Sequence, residues 1–154
     1  MVAEAPGGKV DRTIVESKLR FLKEYLVDLK EYDNVSLSAY RRNKKDQRFV
    51  ERTIQLACEA CIDTAAHIVS RQGLREPKDN KDLFQILYES KIISETVLKA
   101  MMKMSKFRNI VVHDYARIDP EIVIGILKKD LKDFHIFARE ILQFLDTDTI
   151  EQVD

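Results

Sequence analysis

The sequence predicts an all-α protein, an antiparallel bundle of four main helices plus one short helix. Apolar residues recur at steps of three and four from Val15 to Leu145, the period of helices buried on one side. No stretch alternates apolar and polar residues as a half-buried strand does. Gly and Pro, the usual punctuation of β-rich chains, number only 4 and 3 in 154 residues. That length predicts one domain, over residues 11–146, between a polar tail at 1–10 and an acidic tail at 147–154.

Val15, Leu19, Leu22, Leu26 and Leu29 form the stripe of a first helix that runs to about Tyr32. Asp33, Asn34 and Ser36 break the pattern, and Leu37 to Tyr40 reads as a short turn. A long second helix carries Val50, Ile54, Ala57, Cys58, Cys61, Ile62, Ala65, Ile68 and Val69 on one face, where the small residues imply a close neighbour. Gly73 stands where a left-handed cap would end it. After a loop at 75–80 containing Pro77, a short helix from about Lys81 to Glu89 presents Leu83, Ile86 and Leu87. Ser94 is an N-cap signal for a helix bearing Val97, Leu98, Met101, Met102, Met104, Phe107, Ile110 and Val111, expected to fray near His113. Asp119 and Pro120, a cap and a first-turn proline, open the last helix, with Val123, Ile126, Leu127, Leu131, Phe134, Ala138, Ile141, Leu142 and Leu145 inside. Short connections make the antiparallel bundle the economical arrangement.

Composition excludes several function classes. Lys plus Arg and Asp plus Glu are 26 each, so no global field marks a polyanionic or membrane partner. Charge is concentrated locally instead. Arg41, Arg42, Lys44, Lys45, Arg48 and Arg52 face only Asp46 and Glu51 within the same stretch, while Asp146, Asp148, Glu151 and Asp154 make the end acidic. Cys58 and Cys61 form a C-x-x-C inside a helical stretch with no second Cys pair, which reads as core rather than zinc or redox chemistry. The lack of a disulfide framework points to the cytoplasm. Residues 1–10 resemble neither a signal peptide nor an anchor, and no run approaches the roughly 20 apolar residues of a membrane span.

One constellation suits chemistry. Arg108 falls on the stripe set by Met101, Met104 and Val111, where the pattern asks for a hydrophobe, and a charge there needs a partner or a purpose. Its bland explanation is an arginine snorkelling at the bundle edge. His113 follows five residues later and Tyr115 two after that. An Arg five places before a His is common by chance, but the added Tyr makes the combination informative, and neither His67 nor His135 has such company. Those two histidines are expected to serve packing or surface hydrogen bonds.

The segment R-N-I-V-V-H-D-Y, at the end of the penultimate long helix, resembles the R-x-x-x-x-H-x-Y motif of HepT-like HEPN-domain proteins. The second-helix text A-C-E-A-C-I-D-T-A-A-H-I-V-S-R-Q-G-L is similar to the same family, so the resemblance covers roughly Asp11 to Leu145 and leaves both ends without a counterpart. It implies an HEPN-like bundle acting as the toxin of a toxin-antitoxin pair. The implied activity is a metal-independent endoribonuclease without cofactor, working as a homodimer. The implied partner is a minimal nucleotidyltransferase antitoxin that adds adenosine monophosphate to the motif tyrosine, here Tyr115. Asn109 matches the polar residue that HEPN ribonucleases usually carry after the Arg.

The residue types allow that chemistry. RNA can be cut by its own 2′-hydroxyl attacking the adjacent phosphate, which requires proton transfers and positive charge on the phosphorane. The imidazole of His113 suits either proton transfer near neutral pH. The forked, permanent charge of Arg108 suits the non-bridging oxygens. Asn109, one turn before His113, is placed to orient the imidazole or hold substrate. Arg41, Arg42, Lys44 and Lys45 are candidates for RNA phosphate contacts. An adenylyl group on Tyr115 would set bulk and negative charge beside Arg108 and His113 and block the cleft. Geometry imposes a condition, because five helical residues put Arg108 and His113 about 140° apart and about 7.5 Å along the axis. Either the helix unwinds before His113, or two chains share one cleft. Metal-dependent cleavage asks for clustered carboxylates, whereas the motif offers Asp114 alone, with Asp119 reserved as a cap. Two other readings compete: a non-catalytic HEPN module that binds a nucleotidyltransferase or a nucleotide, and a bundle holding a small molecule among Met101, Met102 and Met104.

Overall fold

The computed structural model describes residues 9–153, and all regular structure within them is helical. Helix α1 spans Arg12–Lys30, α2 Leu37–Arg42, α3 Lys44–Arg71, α4 Asn80–Glu89 and α5 Glu95–His113. A 3-10 turn at Tyr115–Arg117 leads to α6, Pro120–Gly125, which passes through a π-helical segment, Ile126–Asp130, into α7, Leu131–Val153. The start signals act as the sequence predicts. Asp11 caps α1 by accepting from the Thr13 and Ile14 amides, Ser94 caps α5 through Val97, and Asp119 caps α6 with Pro120 in its first turn. Gly73 closes α3 at a φ of 63°, with the Leu74 amide bonded to the Val69 carbonyl.

Helix α3 is the spine, packed against α1 along its length and against α4, α5 and α7. Its small residues explain the closeness: Ala57, Cys58, Cys61 and Ala65 are all buried, and the Cys58 thiol reaches the Met104 carbonyl of α5 at 3.5 Å. Both cysteines are free, and burial pushes the Cys58 thiol up to about 12, so they serve as core residues. Aromatic side chains fill the α4–α7 contact, where Phe84 and Phe137 meet edge to face at 5.9 Å. Met101 and Met104 are fully buried and Met102 is half-buried, all against the same core. These methionines line neither the groove between α1 and α3 nor the one beside Lys30 and Leu131, which argues for core filling over a small-molecule site.

Three details depart from expectation. Leu37–Tyr40 is not a turn but part of α2, started by Ser36, whose hydroxyl accepts from the Ala39 amide, and held down by fully buried Tyr40. The last helix is interrupted by the π segment, which shifts its apolar face, so Ile126, Leu127, Phe134, Phe137, Ile141 and Leu145 are buried while Leu142 is exposed. The acidic stretch 147–154, set apart above as a tail, continues α7 as far as Val153. Of the predicted N-terminal tail, residues 1–8 lie outside the described residues. Lys9 and Val10 do pack, with the Lys9 carbonyl accepting from Arg71 at 2.8 Å.

Candidate active site at the end of α5

The motif sits where α5 stops. The Asp114 amide bonds to the Ile110 carbonyl at 2.9 Å, and Asp114 then leaves the helix at φ −146°, ψ 54°. The helix is therefore continuous through His113, which removes the possibility that it unwinds before that residue. Within one chain Arg108 and His113 point about 140° apart. His113 is exposed, and so are its apolar neighbour Val112 and the motif tyrosine, Tyr115.

Arg108 is half-buried and has a partner inside the chain. Its Nε and Nη2 donate to Oε1 of Glu59 on α3, at 3.3 and 3.2 Å, and its Nη1 donates to Oδ1 of Asn109 at 3.2 Å. Gln55 donates to the same Glu59 oxygen at 3.0 Å. The charge on the apolar stripe is thus accounted for by a salt bridge at the helix interface. Asn109 joins that arrangement by bonding Arg108, its neighbour. Glu59 also lines a groove of about 480 Å³ between α1 and α3, where exposed Phe21 and Ile14 stand beside Leu56 and Ala60.

Tyr115 is held from α3 as well. Arg48 donates from Nη1 to the Tyr115 hydroxyl oxygen at 2.9 Å, across 67 residues of sequence. Glu51, one turn along α3, is buried at 6% exposure, and its Oε2 has no hydrogen-bond partner. Desolvation raises its pKa above the ordinary carboxylate range, opposed by the neighbouring Tyr115 hydroxyl and by the charge of Arg48. Tyr40 of α2 completes the group with a buried, unpartnered hydroxyl, its pKa raised by burial first and by Glu51 second.

Arg41, Arg42, Lys44 and Lys45 are exposed around the junction of α2 and α3, with Arg41 3.5 Å from Glu121 of α6. Arg48, from the same basic stretch, is the member that reaches the motif. Among the described residues, no three His, Cys, Asp or Glu side chains gather as a metal ion would need. His67 is buried and accepts from the Asp11 amide through Nε2 at 3.1 Å, whereas His135 is exposed. No helix among the described residues is long and apolar enough to cross a membrane.

Reasoning from the sequence missed Arg48, Glu51, Gln55 and Glu59 as members of the site. A signal was present: these four polar residues recur at steps of three and four, a polar row along α3 beside its apolar face. Nothing local tells which helix that row meets.

Comparison with known proteins agrees with this architecture. Residues 22–141 match the Ribonuclease HepT-like family. The tRNA nuclease HepT of Aphanizomenon flos-aquae is 30% identical over 138 residues, covering 90% of this chain and 94% of that protein. The mRNA nuclease HepT of Shewanella oneidensis is 35% identical over 100 residues, covering 65% of this chain and 75% of that protein. Among solved structures, a tri-AMPylated Shewanella oneidensis HEPN toxin in complex with MNT antitoxin superposes with a TM-score of 0.80 at 29% identity. That alignment spans 86% of this chain and 99% of the toxin. With its matched region running from within α1 into α7, the chain belongs to the Ribonuclease HepT-like family.

Proposed function

We propose that this protein is the ribonuclease toxin of a toxin-antitoxin pair, paired with a nucleotidyltransferase antitoxin and cutting RNA without a metal at a cleft between two copies of the chain. One observation carries the reading: Arg108 and His113 sit on a single unbroken helix and diverge, so a second copy is needed to bring both to one phosphodiester. Exposed Val112 and Tyr115, which flank His113, offer apolar surface for that copy to cover. In the cleft the ribose 2′-hydroxyl attacks the adjacent phosphorus and the bond to the 5′-oxygen breaks. His113 handles a proton at one of these oxygens, and Arg108 neutralises the non-bridging oxygens. Asn109, with Glu59, fixes the guanidinium. Arg41, Arg42, Lys44 and Lys45 guide the backbone of the RNA towards it.

Two relatives named as nucleases of tRNA and of mRNA support an RNA substrate. The tri-AMPylated neighbour bound to an MNT antitoxin supports both the partner and control by modification of Tyr115, whose exposed ring a transferase can reach. The working domain is residues 11–146, and a cytoplasmic setting goes with an RNA target and with the free Cys58 and Cys61.

A second reading, a non-catalytic HEPN module that binds the nucleotidyltransferase or a nucleotide, draws on the engagement of Arg108 by Glu59 and Asn109 within one chain. Incubating RNA with the purified protein in EDTA decides between them. The ribonuclease reading expects cutting that survives chelation and disappears in His113→Ala. Intact RNA in the presence of a folded wild-type dimer would favour the module.

A further inference from the structure

We infer that Glu51 and Arg48 form the acceptor site for adenylyl transfer to Tyr115, with Glu51 taking the phenolic proton and Arg48 holding the oxygen and then the new phosphodiester. The inference rests on the reading, given above, that Tyr115 is the modified residue.

The Tyr115 hydroxyl lies between opposite charges. Arg48 donates to its oxygen at 2.9 Å, so the hydroxyl's own hydrogen must point elsewhere. Glu51, one turn along α3 from Arg48, is the carboxylate that stands beside it. A carboxylate at 6% exposure with Oε2 unpartnered is costly to keep, and its surroundings explain little of the cost. Tyr40, the other polar group beside it, has its hydroxyl unpartnered too, so the buried groups near Tyr115 hold hydrogen-bonding capacity that the fold leaves unused. Arg48 is exposed, and its guanidinium carries further donors besides the one that meets Tyr115.

The step balances with a nucleoside triphosphate as co-reactant. The Tyr115 oxygen attacks the α-phosphorus of ATP, a new P–O bond forms, and the bond from that phosphorus to the bridging oxygen breaks. Pyrophosphate leaves with the electron pair, and the phenolic proton passes to Glu51. Arg48 stabilises the charge that builds on the phenolic oxygen and afterwards pairs with the non-bridging oxygens of the diester. Glu51 is thereby a catalytic residue of the modification without belonging to the RNA-cutting pair.

The experiment follows transfer from α-labelled ATP to the full-length dimer by its nucleotidyltransferase partner, for wild type, Glu51→Gln, Arg48→Ala, Arg48→Lys and Tyr115→Phe. Glu51→Gln is expected to slow labelling roughly a hundredfold near neutral pH. Its rate should climb towards wild type as the pH approaches the phenolic range near 10, a response that a merely structural role would not give. Arg48→Ala should also label slowly, with Arg48→Lys partly restored, and circular dichroism verifies each fold. Should Glu51→Gln fail to fold, the exposed Arg48 variants carry the test. Labelling of both Glu51→Gln and Arg48→Ala at the wild-type rate and pH profile would overturn this inference alone. Label absent from wild type, or persisting in Tyr115→Phe, would overturn the modification reading and this inference with it.

Discussion

Arg108 of α5 grips Glu59 of α3 through two nitrogens, Nε at 3.3 Å and Nη2 at 3.2 Å from the same carboxylate oxygen. That oxygen also accepts from Gln55, so the guanidinium is oriented by a small network instead of being left to swing. A half-buried ion pair of this kind adds little to stability, because desolvating both charges offsets much of their attraction. Its consequence is positional: the cation proposed to meet the RNA phosphate is held in one direction.

Glu59→Ala should therefore impair cutting more than folding. Charge-assisted hydrogen bonds contribute about 1.5–3 kcal/mol, and tenfold in rate corresponds to about 1.4 kcal/mol, so turnover should fall roughly tenfold or more. Glu59→Gln keeps an acceptor oxygen and should lose less. Single-turnover cleavage of a fixed RNA checks the order; equal rates in wild type and Glu59→Ala would mean that Arg108 is oriented by something else.

Glu51 makes a prediction about stability and pH. Its folded-state pKa is raised above the ordinary 4.5, mainly by desolvation, so the folded protein favours the protonated form. The contribution of this group to stability is full below its unfolded pKa and is lost as pH rises through the folded value. Glu51→Gln removes the titration, so its stability relative to wild type should rise with pH across that window and level off on either side. Urea melts of both proteins at a series of pH values measure this. A constant difference would show that burial does not perturb the carboxyl.

The basic residues Arg41, Arg42, Lys44 and Lys45 predict a salt dependence. Each phosphate of single-stranded RNA that a protein cation neutralises adds about 0.7 to the slope of log affinity against log salt. Removing the four charges should weaken binding and flatten the slope by roughly 0.7 for every phosphate left without its cation. Binding titrations of His113→Ala with and without these substitutions read the slope, and an unchanged one would leave the four as ordinary surface.

Much of the fold was legible in the sequence because its signals are local. Ser94, Gly73 and the Asp119–Pro120 pair act within a few residues of themselves, and the buried stripes follow from the helical period. The short helix α2 was missed because six residues give the period too little length to show. Helix α4 ends at Glu89 as the pattern predicts, but the way its end closes carried no signal. Lys91 takes the left-handed conformation there, at φ 60°, while the Ile92 amide closes on the Leu87 carbonyl, a role usually signalled by glycine. Lys91→Gly should accordingly stabilise the protein by about 0.5–1 kcal/mol, seen as a higher urea midpoint with an unchanged slope. A lower midpoint would mean that the lysine side chain contributes more than the strain costs.

The candidate site was half legible. Arg108, His113 and Tyr115 stand out along the chain because they share a short segment, but their holders lie 49 and 67 residues away, at Glu59 and Arg48. Only packing reveals which polar residues of α3 meet which end of α5. The sequence also allowed two ways of uniting Arg108 with His113; the helix is unbroken through His113, and the proposed two-chain cleft is built on that.

Mixing two inactive proteins tests that cleft directly. In a dimer of Arg108→Ala with His113→Ala, a site built from one chain's Arg108 and its partner's His113 is intact once, while the other site lacks both groups. Random reassembly of equal amounts should restore about a quarter of the wild-type cleavage rate, since half of the dimers are mixed and each holds one of two sites. Cleavage that stays at the level of the separate variants, with mixed dimers demonstrated by mass spectrometry, would contradict a cleft shared in this way.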